Sequence, residues 1–107
     1  MTDYELLAAV AGGDPELLGA EYYDGPDPRY VGFFLVDKQR YWNPLLDDGD
    51  ALRLAVQRRF LVNIDRNVSK VTDGITTEIY EGHAQDARAA TRRAIVRAAI
   101  AQKGGGT

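Results

Sequence analysis

Cysteine is absent from this 107-residue chain, which removes both a disulfide framework and any thiolate metal site and fits a reducing cytosol. Histidine occurs once, as His83, so no site can use paired imidazoles. Its ordinary explanation is a solvated loop residue between Gly82 and the last helix. Serine also occurs once, as Ser69, in a strand-like stretch. A Ser-His-acid nucleophile needs an exposed elbow instead, so nucleophilic hydrolysis is not expected. There is no glycine-rich loop followed by Lys-Ser or Lys-Thr, and no dinucleotide fingerprint. The longest apolar stretch free of charge and turn signals, near Tyr30–Val36, is far too short to span a bilayer. The opening Met-Thr-Asp-Tyr-Glu carries acid where a signal peptide carries base. The expectation is a soluble cytoplasmic protein with no cofactor and no membrane association.

What is present is an ordinary globular composition, 45% hydrophobic and 27% charged, of a length that holds one core. Residues 1–103 are expected to form a single domain, followed by a disordered glycine-rich tail at 104–107. The net charge of −3 is unevenly spread. Residues 1–50 hold three bases and eleven acids, whereas residues 86–107 hold five bases and one acid. An acidic first half and a basic last helix can attract each other within one fold, or meet different partners.

Periodicity and turn chemistry predict the elements. Tyr4–Ala11 reads as a helix capped by Thr2 or Asp3, with Leu6, Leu7 and Val10 on one stripe and Gly12-Gly13 at its end. Asp14-Pro15 suits a brief turn through Leu18. The prolines of Asp24–Pro28 mark a loop, and Tyr30–Val36 is β-branched and aromatic enough for a buried strand. A helix follows from Asp47, with Ala51, Leu52, Ala55 and Val56 inward. Asp73-Gly74 signals a two-residue hairpin that pairs Thr72 with Ile75, Val68 with Ile79 and Arg66 with Glu81. In that register Ile75, Ile64, Val62 and Phe60 share the apolar face. Asp86–Gln102 is a helix whose Ala87, Ala90, Ala94, Ala98 and Ala101 fall within an arc of about 80°. Ile95, Val96, Ala99 and Ile100 make it apolar over more than half its circumference.

Three groups of residues invite a function. Asp47, Asp48 and Asp50 resemble a metal cluster, but Gly49 comes too early for an EF-hand and Arg58 stands where its terminal Glu belongs. Capping explains them better, with Asp47 as N-cap and Asp50 three positions on, so no metal site is assigned. Arg88, Arg92, Arg93 and Arg97 form a basic helix that suits nucleic acid, yet the two pairs lie about 140° apart and the chain is acidic overall. Tyr22, Tyr23, Tyr30, Tyr41 and Trp42 combine aromatics with nearby acids, a composition that anchors protein interfaces. Burial in the core is the competing explanation for Trp42.

Four pieces of the chain together resemble the phage "ABA sandwich" domain family of small phage and prophage proteins. They are Met-Thr-Asp-Tyr-Glu-Leu-Leu at the start, Trp42–Val56, the hairpin region, and Ala89–Ala99. The sequence departs from that pattern at Glu21–Arg40, which is longer and more aromatic. The resemblance implies helices packed on both sides of a sheet and an origin in a phage or its bacterial host cell. It carries no activity, cofactor or catalytic residue. The combined expectation is an α+β domain of order α-β-α-β-β-α with a small, largely antiparallel sheet between helices. The leading functional expectation is a non-catalytic accessory protein, monomer or homodimer, that binds a phage or host protein. Nucleic-acid binding through the last helix is the alternative, and a metal-dependent enzyme using Asp47–Asp50 is a third reading.

Overall fold

A computed structural model describes residues 2–12, 17 and 20–105, without side chains for 103–105. The chain is an α+β protein with the element sequence α1 (Asp3–Ala11), β1 (Tyr22–Asp24), β2 (Val31–Leu35), β3 (Arg40–Trp42), α2 (Asp48–Gln57), β4 (Leu61–Ile64), β5 (Val68–Thr72), β6 (Glu78–Gly82) and α3 (Ala87–Gly105). Short 3-10 turns at Pro28–Tyr30 and Val36–Lys38 flank β2. The strands form two antiparallel three-stranded sheets, β1-β2-β3 and β4-β5-β6. The expected strand at Tyr30–Val36 is therefore the centre of its own sheet, and β4 adds a strand to the expected hairpin. Among the described residues no helix is long and apolar enough to cross a membrane.

Helix α1 starts where its cap chemistry dictates. Thr2 Oγ1 accepts from the Glu5 amide and Glu5 Oε1 accepts from the Thr2 amide, a reciprocal capping box. Leu6, Leu7, Val10 and Ala11 are buried. The C-terminal Gly12 stays right-handed at φ −61°, so the left-handed cap expected at Gly12-Gly13 is not made at Gly12. Gly13 and the turn expected from Asp14, apart from Leu17, lie outside the described residues.

Helix α3 sits at the centre, packed on β5 and β6, on α2 and on α1. Its small side chains explain this position: Ala90, Ala94, Ala98 and Ala99 are buried with Ile95 and Val96, while Ala87 and Ala101 at the ends are exposed. Asp86 caps it as expected, accepting from the Ala89 amide. The helix continues to Gly105, past the end expected at Lys103-Gly104.

The hairpin register differs from the expected one by three residues: Val68 pairs with Gly82, and Val71 rather than Val68 pairs with Ile79. The cause is the carboxylate of Asp73. Its Oδ1 accepts from the amides of Ile75, Thr76 and Thr77 at 2.8–3.0 Å, closing a longer loop than a two-residue turn allows. Those bonds hold the Asp73 carboxyl below the usual range, the Thr77 amide first among them. An odd slip exchanges the faces of β5 relative to β6. Val71 and Ser69 now face α3, Ile75 is 86% exposed at the loop tip, and Glu81 meets Arg97 instead of Arg66.

Helix α2 begins after Asp47, but its buried side differs from the expected stripe. Leu54 is buried, whereas Leu52 is 63% and Val56 69% exposed. The helix is turned by Asp50, whose side chain is fully buried and locked to Arg40, Arg53 and the Asn43 amide. Asp50, Ala51, Leu54 and Ala55 lie on one face by the three-and-four spacing, and that face goes inward.

Candidate functional site

The first sheet sorts its aromatic residues onto two faces by strand alternation. Phe33 lies opposite Tyr22 on one side and Trp42 on the other, and these three point into the core. Tyr22 meets Tyr4 edge-on at 4.8 Å and Phe33 at 5.2 Å, and Phe33 lies 6.3 Å from Trp42. One position along each strand, Tyr23, Phe34 and Tyr41 emerge on the opposite face. Tyr23 stands 6.4 Å from Phe34 and 5.8 Å from Tyr41, and Phe34 lies 5.0 Å from Tyr41. Tyr30, delivered by the 3-10 turn, extends the row at 5.8 Å from Tyr41. Most of these contacts are edge-to-face, the arrangement the ring quadrupoles favour.

This outer row is held from its edges. The Tyr23 hydroxyl donates to Glu21 at 2.9 Å, and that bond to a carboxylate raises the phenol above its ordinary range. The Arg29 guanidinium lies over the Tyr30 ring at 5.5 Å while forming a 2.7 Å ion pair with Asp27. Tyr23 is 43% and Tyr30 50% exposed. The surface is therefore aromatic at its centre, with Glu21 and the Asp27–Arg29 pair at its edge.

No family model, curated protein or solved structure matches this chain.

Of the five aromatic residues singled out in the sequence, three share this surface and two leave it. Trp42 is 8% exposed and belongs to the core. Tyr22 is half-buried on the same inner face, and burial pushes its phenol upward, with Asp24 and Asp3 adding to the effect. Sequence reasoning missed Phe34, which it placed in a strand buried throughout. The two-residue alternation within Phe33-Phe34 was the available signal.

The arginines of α3 are mostly engaged within the molecule. Arg92 donates to Asp48 at 2.6 Å and to the Leu45 carbonyl at 2.8 Å. Arg93 reaches Asp3 at 3.2 Å, and Arg97 pairs with Glu81. Only Arg88 of the four makes no ion pair among the described residues. Two ion pairs thus join the acidic half to the last helix, Asp48 meeting Arg92 and Asp3 meeting Arg93.

The three aspartates also diverge. Asp47 accepts from the Asp50 amide at 2.8 Å as the helix cap, and Asp48 holds Arg92. Asp50 holds Arg53 at 2.8 Å together with Arg40, and accepts from the Asn43 amide at 2.9 Å. Burial pushes the Asp50 carboxyl upward, but the bonds from Arg40, Arg53 and Asn43 outweigh it and leave the group below the usual carboxylate range. Among the described residues no group of three His, Asp or Glu side chains converges as a metal would require.

His83 is not a free loop residue. Its Nε2 lies 2.8 Å from Ser69 Oγ and its Nδ1 3.1 Å from the Arg66 carbonyl. Ser69 Oγ also lies 2.7 Å from Thr91 Oγ1, which donates to the Ala87 carbonyl. The hydroxyl of Ser69 is fully buried, and the imidazole is oriented by a carbonyl rather than a carboxylate. The geometry is that of a tie between β5, the start of α3 and the Arg66 turn.

Proposed function

We propose that this protein is a non-catalytic phage or prophage accessory protein that works by binding another protein through the outer face of the first sheet. The observation that carries the reading is the joined row of Tyr23, Phe34, Tyr41 and Tyr30, partly exposed on a rigid sheet with no element of the described chain packed over it. Aromatic side chains bring large contact area at low entropy cost, which is why they dominate binding hot spots. Glu21 and the Asp27–Arg29 pair at its edge suit a partner with an apolar centre and polar surroundings. The resemblance to the phage family supports the setting, and the partner is a phage or host protein.

Neither other reading gains support of this kind. Three arginines of α3 are engaged with acids, and the aspartates near α2 each serve a different partner. The test is capture from infected or lysogenic host lysate, followed by a direct titration with the purified captured protein. Tyr23→Arg/Tyr30→Arg should abolish binding while leaving a cooperatively folded protein by circular dichroism, since both side chains are substantially exposed. Tyr80→Arg on the other sheet should bind normally. Equal binding by the double variant would sink the proposal.

A further inference from the structure

A second concave surface lies away from the aromatic face, between α2, α3 and the edge strand β4. It is a cleft of about 500 Å³, within the range of small-molecule sites. Leu52 of α2, Val62 and Ile64 of β4 and Ile95 of α3 line its walls. Leu52 and Ile64 are mostly exposed there, so the cleft leaves apolar side chains in water that an occupant would cover. Its charged lining consists of Asp48, Arg92 and Arg88. Asp48 and Arg92 neutralise each other at 2.6 Å. Arg88 makes no ion pair among the described residues, and Asp86 beside it is turned to the Ala89 amide as the helix cap. The rim therefore presents the Arg88 guanidinium unpaired over an apolar interior, with Asp86 acting on it only through space.

We propose that this cleft binds a small amphiphilic anion, a single aliphatic chain ending in a carboxylate, with the chain against Leu52, Ile64 and Ile95 and the carboxylate at Arg88. The charge pattern selects this occupant. A guanidinium pairs a carboxylate through two parallel N–H donors, and the apolar walls offer nothing to a polar ligand. An amphiphilic cation would meet Arg88 with like charge.

The probe is decanoate, titrated below its micelle concentration into the isotopically labelled protein and followed by amide shifts. Decyltrimethylammonium, with the same tail and opposite charge, is the control. Saturable shifts are expected at Ala51, Leu52, Ile64 and Thr91, with decanoate binding more tightly than the cation. Arg88→Glu should weaken decanoate by at least about threefold and reverse the preference between the two probes. Arg88→Gln should remove the preference without reversing it, and serves if the charge reversal disturbs the fold. Leu52→Asp, at an exposed position, should abolish binding of both. The proposal is overturned if decanoate produces no saturable shifts, if both probes bind the native protein equally, or if Arg88→Gln binds decanoate as the native protein does. It is equally overturned if the same amides shift with protein concentration alone, which would make a second copy of the chain the occupant, or if only anionic phosphatidylglycerol vesicles bind.

Discussion

Asp50 holds an ionised carboxylate where no water reaches it, and three donors make that possible. Arg40 comes from β3, Arg53 from one turn further along α2, and the Asn43 amide from the bend between them. Removing the carboxylate leaves a buried amide and the inner face of Arg40 without a partner, so Asp50→Ala should cost about 3 kcal/mol in urea unfolding. Arg53 is mostly exposed, and Arg53→Ala should cost less than about 1 kcal/mol. The carboxyl is depressed in the folded state, so its contribution is present above the unfolded value near pH ~4 and is lost as the pH falls through the folded value. The unfolding midpoint should therefore drop on acidification below pH ~4, and Asp50→Asn should flatten that limb. The identity and position of the acid were legible in the sequence as part of a helix start. Its burial was not, because the cation that matters most, Arg40, lies ten residues away on a different element.

At the scale of elements, local side-chain chemistry sets the boundaries and the backbone tolerates a few unfavourable residues. Helix α2 ends in a Schellman arrangement: the Phe60 amide donates to the Ala55 carbonyl and the Arg59 amide to Val56. Arg59 occupies the left-handed position at φ 59°, where glycine is at ease. Arg59→Gly should raise stability by about 0.5–1 kcal/mol, checked by the denaturation midpoint. Gly32 and Gly74 both have positive φ, but their surroundings differ. A Cβ on Gly32 would stand 2.3 Å from the Trp42 carbonyl oxygen, while one on Gly74 would meet nothing within 4 Å. Gly74→Ala should cost about 1–2 kcal/mol from backbone strain alone, and Gly32→Ala clearly more because β2 and β3 must separate. Circular dichroism melts of the two variants would rank them, and equal losses would refute the close-approach argument. The caps of α1, α2 and α3 at Thr2, Asp47 and Asp86 were each readable in advance, since a cap involves residues two or three apart. The hairpin register was not, since it depended on whether Asp73 served its neighbours as a turn residue or as a cap for three amides.

At the scale of the whole molecule, the chain's charge asymmetry becomes internal attraction. Arg92 and Arg93 bind acids from the first half, and Arg97 binds Glu81 of β6. With these cations engaged and a net charge of −3, retention on duplex DNA should be absent even at about 50 mM salt. A salt-sensitive retention lost in Arg92→Glu/Arg93→Glu would return nucleic acid to first place. The aromatic face of the first sheet and the apolar cleft beside α2 are both open to solvent.

The sequence by itself determined the fold class, the three helix starts, the small-residue character of α3 and the stretch of chain from which the aromatic surface is drawn. Each of these follows from residues close together along the chain, through hydrogen bonds to neighbouring amides or through a fixed periodicity. Only the tertiary structure decided that Trp42 belongs inside and Phe34 outside, that Leu54 rather than Leu52 is buried, and that His83 closes onto Ser69. Those outcomes turn on which face of a strand or helix meets the rest of the molecule. A slip of three residues in a hairpin, or one buried carboxylate pulling on a helix, is enough to change that face while leaving the local pattern intact.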